Sequence, residues 1–243
     1  MKYYFAADVH LGLPPEKDAR QRELRFVNWL DSIKSDAKEI FLLGDIFDFW
    51  FEYKKVVPKG FVRTLGKIAE ITDMGIPVHF FAGNHDLWMR DYFPSEIGVI
   101  VHPADYTANL YGYKFYLAHG DAINIEDKQH AFLRSIFTNR CLQRMYSGIH
   151  PFFGLSFAHA WSKSNRKKHK GYKFDSDNSL YKIASKKAKE ENLDFFVIGH
   201  YHAPVNISEN DFKFIILSDW LSGGAGASFD ENGTWTELKV EPS

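Results

Sequence analysis

Five short polar clusters in this chain combine carboxylate, amide and imidazole side chains, and each follows an apolar run. They are Asp8-Val9-His10, Gly44-Asp45, Gly83-Asn84-His85-Asp86, His119-Gly120 and Gly199-His200-Tyr201-His202. Side chains of these types bind borderline transition metals. We therefore expect the five clusters to meet and to form the site of a hydrolase that uses two metal ions.

Seven residues of these clusters are candidate ligands, which is enough for two divalent cations. We expect one ion to be bound by Asp8, His10, Asp45 and His202, and the other by Asp45, Asn84, His119 and His200. Asp45 is expected to bridge the ions, because each of its two oxygens can coordinate one. Two cations about 3.5–4 Å apart can clamp a phosphoryl group and activate a water for in-line attack, so no protein nucleophile is required. Nitrogen and oxygen donors without thiolate fit Mn, with Fe or Zn as alternatives.

The tetrapeptide Gly83-Asn84-His85-Asp86 carries the candidate catalytic residues. Asn84 offers a neutral amide oxygen, His85 is expected to act on the leaving group, and Asp86 is expected to orient the His85 imidazole. Taken alone, the tetrapeptide could also be an Asx turn, and Asp45 could be a turn residue. The recurrence of ligand types after five separate apolar runs favours the metal site.

Six apolar runs rich in β-branched and aromatic residues predict buried strands, and the first five end at a ligand cluster. The runs are Lys2–Ala7, Glu39–Leu43, Pro77–Ala82, Lys114–Ala118, Phe195–Ile198 and Phe214–Ser218. Apolar residues at helical spacing lie between them, at 26–33, 61–69 and 180–188. Strands alternating with helices predict an α/β fold whose strand-end loops converge on one edge of the sheet. Turn residues at 109–113 and 230–233 predict hairpins, so the sheet is expected to be mixed.

The segment at about 121–177 breaks this alternation and is expected to be a mostly helical insertion over the site of a single domain, 1–243. Ten basic residues and no acidic ones lie between Lys128 and Lys173. Such a block of one charge favours an anionic partner such as phosphate, nucleic acid or a membrane surface, although it could also be a solvated face.

The composition is that of a folded chain in a reducing compartment. With 243 residues and a hydrophobic fraction of 45%, the chain can bury a substantial core. We expect a cytoplasmic protein, because neither a signal-peptide pattern nor a bilayer-spanning stretch is recognisable. The single cysteine, Cys141, is expected to be a buried small hydrophobe. Nothing in the sequence indicates an obligate protein partner.

The motif order Asp-x-His, Gly-Asp, Gly-Asn-His-Asp, His-Gly and Gly-His-x-His spans Asp8 to His202 and resembles the calcineurin-like metallophosphoesterases. The resemblance implies a four-layered α/β/β/α sandwich with a dinuclear site. Within that superfamily, the Asp-Val-His-Leu-Gly opening, the His119-Gly120-Asp121 segment followed by Glu126-Asp127, and the basic insertion are similar to the UDP-2,3-diacylglucosamine pyrophosphohydrolase family.

This likeness implies cleavage of a pyrophosphate in a diacylated sugar nucleotide during lipid A synthesis, releasing UMP and the acylated sugar phosphate, lipid X. The substrate would be an anionic amphipathic lipid, with peripheral contact between the enzyme and the inner membrane. By analogy with the family, Ser164, Asn165, Lys167 and Lys168 are candidates for head-group binding. Members of that family often carry Arg where this chain has His85, whereas His is the general superfamily residue.

Two other functions fit part of the pattern. A metal-dependent phosphodiesterase or nuclease would use the basic block to bind nucleic acid. The aromatic residues of the insertion are mostly Phe interleaved with Leu and Ile, which favours acyl chains over stacked bases. A scaffold that has lost its chemistry should lack some ligands, whereas here every ligand position is filled.

Overall fold

The computed structural model describes residues 1–123, 135–151, 153–154, 179–209, 212–221, 223 and 226–238. Eleven strands among these residues form two mixed sheets. They are β1 Lys2–Ala6, β2 Ala37–Leu42, β3 Val78–Phe81, β4 Ile100–His102, β5 Tyr106–Leu110, β6 Tyr113–Ala118, β7 Phe195–Ile198, β8 Val205–Glu209, β9 Phe212–Ile216, β10 Ala227–Asp230 and β11 Trp235–Glu237. The first sheet has the order β11-β10-β1-β2-β3-β4 and the second has the order β5-β6-β7-β9-β8.

Each sheet combines parallel strands with antiparallel ones. Strands β1 to β4 are parallel, β10 pairs antiparallel with β1, and β11 pairs antiparallel with β10. In the second sheet β6, β7 and β9 are parallel, with β5 and β8 antiparallel at the two edges. The predicted hairpins are confirmed: Tyr111-Gly112 joins β5 to β6, and residues 231–234 join β10 to β11. Tyr111 and Gly112 have φ of 53° and 90°, which suits a tight two-residue hairpin turn.

Four α-helices flank the sheets among the described residues. They are α1 Glu16–Ile33, α2 Val62–Asp73, α3 Arg140–Tyr146 and α4 Ser179–Glu191, and a π-helical turn covers Phe93–Ile97. Helix α1 begins after Pro15 and buries Phe26, Trp29, Leu30 and Ile33 at helical spacing, as the sequence predicts. None of the described helices combines the length and apolar character needed to cross a bilayer.

Three apolar clusters define four layers. Along β1 the side chains alternate: Tyr4 and Ala6 pack under α1 and α2, whereas Tyr3 and Phe5 face the other sheet. The space between the sheets is filled by stacked phenylalanines, and the rings of Phe115 and Phe195 lie 4.2 Å apart. Helix α4 covers the far face of the second sheet. The predicted α/β/β/α sandwich is confirmed, and both sheets are buried on two faces, which explains the nearly continuous apolar strands.

The described part of the predicted insertion is helical. Residues 135–138 form a helical turn, and α3 follows with Asn139 as its N-cap, whose side chain accepts from the Cys141 and Leu142 N–H groups. Cys141 itself is exposed, so the expectation of a buried thiol is wrong. The reason is that no residue of α3 is buried. Residues 124–134, 152 and 155–178 lie outside the described part of the chain, and the single-domain organisation stays a prediction.

Candidate metal centre

The ligand clusters meet because the strands that precede them lie side by side. Strands β1, β2 and β3 are neighbours in one sheet and β6 and β7 in the other, and all five point their carboxyl ends to one edge. Five of the candidate ligands leave their strands with a left-handed backbone. The φ angles are 54° at Asp8, 49° at His10, 53° at Asp45, 71° at His200 and 52° at His202. This conformation is uncommon outside glycine and clusters at functional sites, where surrounding structure maintains it.

A first pocket is formed by Asp8, His10 and His202. The two Nε2 atoms are 3.2 Å apart, and Asp8 Oδ1 lies 3.9 Å from His10 Nε2 and 3.6 Å from His202 Nε2. Asp8 Oδ1 is buried with no hydrogen-bond partner. Ligand atoms around an ion with bonds of about 2.1 Å are separated by about 3.0–3.5 Å, so small adjustments allow all three atoms to bind one cation. An otherwise unsatisfied carboxylate oxygen facing two imidazoles fits a divalent metal.

A second pocket is formed by Asp45, Asn84, His119 and His200. His119 Nε2 lies 3.4 Å from Asp45 Oδ2 and 3.2 Å from Asn84 Oδ1. His200 completes a group with Asp45 and His119 whose ligand atoms lie within 4.8 Å of one another. The Nδ1 of His119 donates to the Leu43 carbonyl at 2.8 Å, so its Nε2 faces the pocket, where a metal ion would replace the Nε2 proton. The four donors fit a second cation.

Asp45 lies between the two pockets and presents one oxygen to both. Its Oδ2 is 3.4 Å from His119 Nε2 and 3.9 Å from His10 Nε2. Its Oδ1 accepts a 2.9 Å hydrogen bond from the backbone N–H of His85. If Asp45 bridges two ions, it would therefore do so through Oδ2 alone, whereas the sequence led us to expect both carboxylate oxygens. A glycine is needed beside it, because a Cβ at Gly83 would collide with the Asp45 side chain and backbone.

His85 faces the same cleft, but Asp86 does not hold it. The Nδ1 of His85 donates to the backbone carbonyl of Asp48 at 2.8 Å, and its Nε2 lies 3.9 Å from Asp45 Oδ2. Both oxygens of Asp86 instead accept backbone N–H groups, from Gly83, Asp45, Ile46 and Phe47 at 2.8–3.2 Å. The predicted orienting role of Asp86 is therefore wrong. This buried carboxylate ties the loop after β3 to the loop after β2 and fixes the spacing of Asn84 and Asp45.

Burial and neighbouring charges set the protonation of the cluster. Burial raises the pKa of Asp45, but the imidazoles of His119 and His85 outweigh it and hold that pKa well below its usual value. Burial lowers the pKa of His119, but Asp45 and Asp8 outweigh it and raise that pKa well above the usual value. The cluster therefore concentrates negative charge on Asp45 and positive charge on His119. A divalent cation would take over the balancing role of the His119 proton.

The sequence profile of the family described as calcineurin-like phosphoesterase matches residues 1–204. The chain belongs to the calcineurin-like phosphoesterase family. A curated relative at similar length is UDP-2,3-diacylglucosamine hydrolase of Porphyromonas gingivalis, 37% identical, with 94% of each chain covered. The enzyme of the same name from Haemophilus influenzae is 28% identical, with 97% of this chain and 98% of the relative covered.

Two solved structures support the fold of this calcineurin-like phosphoesterase. A novel archaeal phosphodiesterase superposes with a TM-score of 0.52 at 12% identity, covering 99% of this chain and all of the other. Yfce, a phosphoesterase from E. coli, gives a TM-score of 0.50 at 14% identity, covering the whole chain and 96% of the other. At these identities the likeness shows the shared architecture alone.

Two aspartates near the phosphoesterase site were not predicted. Asp48 Oδ1 lies 3.6 Å from His10 Nδ1, and Asp219 Oδ2 lies 3.5 Å from His202 Nδ1. Both residues are buried. Sequence signals for both existed: Asp48 follows Asp45 by three residues, and Asp219 directly follows Phe214–Ser218, the predicted strand to which no cluster was assigned.

The described part of the insertion packs on the loops that carry the site. The indole N–H of Trp88 donates to the Phe137 carbonyl at 2.6 Å, and the Trp88 and Tyr146 rings lie 5.0 Å apart. Phe51 also contacts Tyr146, at 4.8 Å between ring centroids. The helical turn that contains Phe137 and helix α3 are thereby attached to the loops that follow Asp45 and Asn84. The candidate head-group residues Ser164, Asn165, Lys167 and Lys168 lie outside the described residues.

Proposed function

We propose that this chain hydrolyses the pyrophosphate of UDP-2,3-diacylglucosamine to UMP and 2,3-diacylglucosamine 1-phosphate (lipid X), a step of lipid A biosynthesis. The observation that carries the proposal is the pair of adjacent ligand pockets that share Asp45 Oδ2. Relatives that this chain matches along nearly their whole length bear the name of that hydrolase, which supports the substrate. Ser164, Asn165, Lys167 and Lys168 remain proposed head-group contacts.

The proposed ligands are the seven residues of the two pockets, with Mn as the expected ion and Fe or Zn as alternatives. When bound, two cations supply charge for the phosphoryl oxygens and lower the pKa of a water to give the attacking nucleophile. The residues fix where that chemistry occurs. Asp45 sets the separation of the pockets, while Asn84 adds a donor without adding charge.

His85 is proposed to contact the leaving phosphate. Its Nδ1 proton is held by the Asp48 carbonyl, so the ring cannot turn and Nε2 faces the cleft. Through Nε2 the ring donates a hydrogen bond to a phosphate oxygen and stabilises the charge that develops on it. His85 thus acts as an electrostatic catalyst on the side of the leaving group.

The described part of the insertion presents apolar side chains to solvent, and we propose that it meets the inner membrane from the cytoplasmic side. Leu142, Met145, Ile149 and Phe153 are exposed, Met145 and Phe153 by 68% and 65%. Arg140 and Arg144 lie on α3 together with Leu142 and Met145. An apolar surface with neighbouring cations suits the interface of an anionic bilayer, where the substrate's acyl chains are anchored.

The double variant Met145→Glu, Phe153→Glu is expected to lose about tenfold in affinity for anionic vesicles, because it removes apolar area and adds like charge. Co-sedimentation with vesicles of phosphatidylglycerol and phosphatidylethanolamine measures the effect. Met74→Glu is the matched control, since Met74 is 54% exposed beyond the end of α2, distant in sequence from the insertion. Equal binding by the double variant and the wild type would contradict the membrane contact.

The proposed reaction is tested with metal-free protein that is refilled with Mn, Fe or Zn. We expect no hydrolysis without metal, since two bound ions account for several kcal/mol of transition-state stabilisation. With metal, we expect release of UMP from UDP-2,3-diacylglucosamine to be at least about 10³-fold faster than nucleotide release from single-stranded DNA, because only the lipid substrate would make the proposed head-group contacts. Thin-layer separation of UMP and the acylated sugar phosphate identifies the bond cleaved. Turnover of DNA alone would reject the lipid substrate in favour of the nuclease alternative.

A further inference from the structure

Asp219 lies directly behind one of the candidate metal ligands. It follows β9 and is only 3% exposed. Its Oδ1 accepts a 2.7 Å hydrogen bond from the backbone N–H of Leu221, and its Oδ2 lies 3.5 Å from Nδ1 of His202. The opposite nitrogen of the same ring, Nε2, faces Asp8 and His10 in the first pocket. The carboxylate is therefore placed to act on the ligand through the ring.

The backbone around Asp219 is fixed by packing rather than by the pocket. The next residue, Trp220, is fully buried, with its ring 5.2 Å from Phe26 and 5.7 Å from Trp29 of α1. Its N–H donates to the Asp8 carbonyl at 3.2 Å, and its own carbonyl accepts from Arg25 at 3.1 Å. Asp219 is thus attached to the same rigid layer as the strand end that carries Asp8.

The other imidazole of the first pocket has the same arrangement. Nδ1 of His10 lies 3.6 Å from the Asp48 carboxylate, on the side opposite its metal-facing Nε2. Asp48 and Asp219 come from different loops, after β2 and after β9. Each histidine of the first pocket thus has a buried carboxylate behind it, and the two carboxylates come from unrelated loops. If the aspartates only closed their own turns, this repetition would have no explanation.

We infer that Asp219 is a positioning residue that holds His202 with its proton on Nδ1, so that the Nε2 lone pair is directed into the first pocket. The inference rests on the proposed role of His202 as a metal ligand. A carboxylate behind a ligating imidazole fixes its tautomer and ring orientation and makes it a stronger donor. Asp48 lies on the corresponding side of His10, with its Oδ1 3.6 Å from Nδ1.

The simpler alternative is that Asp219 only closes the turn to Leu221. Asp219→Asn separates the two roles, because the amide oxygen can still accept from the Leu221 N–H and preserve the turn. The amide N–H₂ then faces Nδ1 of His202, and two donors oppose each other. The ring is forced to move its proton to Nε2, which blocks the lone pair that would bind metal, as an aspartate-to-asparagine change does behind a catalytic histidine.

The test is titration of metal-free protein with Mn²⁺ by calorimetry. For Asp219→Asn we expect one of the two binding events to weaken by about 10–100-fold, while the other changes by less than about threefold. Asp230→Asn is the matched control, because Asp230 also accepts backbone N–H groups, from Asn232 and Thr234, but in the distant β10–β11 hairpin. It should leave both events unchanged.

Two outcomes would overturn the inference: both events unchanged in Asp219→Asn, or both weakened alike. Thermal unfolding of the metal-free proteins guards against a folding artefact, and Asp219→Asn is expected to unfold within a few degrees of the wild type. The titration does not depend on the substrate. Failure of the wild type to cleave UDP-2,3-diacylglucosamine would therefore refute the proposed reaction and leave the metal measurement standing.

Discussion

Replacement of Asp45 by alanine is expected to lower kcat by at least about 10³-fold with the fold intact, since loss of the shared ligand removes several kcal/mol of transition-state stabilisation. Asp45 Oδ2 is the atom that faces both pockets, at 3.9 Å from His10 Nε2 and 3.4 Å from His119 Nε2. Without it, no single side chain fixes the separation of two ions. The measurement is steady-state UMP release at saturating Mn, together with the number of ions bound per chain.

Asp45→Asn is the shape-matched partner of this variant. The amide oxygen can keep the hydrogen bond from the His85 N–H, which is 2.9 Å long in the wild type, but the bridging charge is lost. We expect Asn to be nearly as inactive as Ala, with a circular dichroism spectrum like that of the wild type. Asp31→Ala, which removes an exposed carboxylate of α1, is the control and should be fully active. Equal kcat in the wild type and Asp45→Ala would rule out the bridge.

The sequence predicted that the candidate ligands lie together, because buried parallel strands have a strong signal. Strands β1, β2, β3, β6 and β7 are covered on both faces, so each is an apolar run that ends where the polar cluster begins. Convergence of their carboxyl ends follows from the parallel arrangement. The strands β4 and β8 were missed: both are edge strands, β4 is only three residues long, and β8 buries none of its side chains fully.

Side-chain partners were harder to predict, because they depend on which loops come into contact. Asp86 is adjacent to His85 in sequence, yet its oxygens point to the loop after β2 and bind Ile46 and Phe47. Asp219 is distant from every cluster in sequence and reaches His202 only because β9 pairs beside β7. Because Asp86 is next to His85 in sequence, it was wrongly predicted to orient that ring. Because Asp219 is far from His202 in sequence, it was not predicted at all.

The left-handed backbone at the ligands has the same origin. Asp and His tolerate positive φ better than most residues do, but nothing in the local sequence requires it at Asp8, His10 or His202. The conformation is maintained by contacts from elsewhere in the fold. Arg22 of α1, for example, donates to the carbonyls of His10 and Leu13 at 3.1 Å each. The site therefore depends on a helix that supplies no ligand.

His85→Ala is expected to reduce kcat by about 10²-fold, which is typical for the loss of one hydrogen-bond donor to the transition state. His85→Arg replaces that donor and should keep kcat within about tenfold of the wild-type value. The physical reason lies in the leaving group. A phosphate released from a pyrophosphate is weakly basic, so it gains more from a fixed positive donor than from receiving a proton. Arg provides N–H donors and a permanent charge, and its fork matches phosphate oxygens.

The Asp48 carbonyl provides a structural check on this prediction. It holds Nδ1 of His85 at 2.8 Å, and an arginine at this position can donate to the same carbonyl while a second N–H reaches the phosphate. The measurements are kcat and KM for UDP-2,3-diacylglucosamine with the wild type and both variants. If the donor role is right, His85→Arg keeps most of the activity that His85→Ala loses, because arginine carries a permanent charge and N–H donors. An arginine variant as inactive as the alanine variant would show that proton transfer, rather than charge, is what His85 contributes.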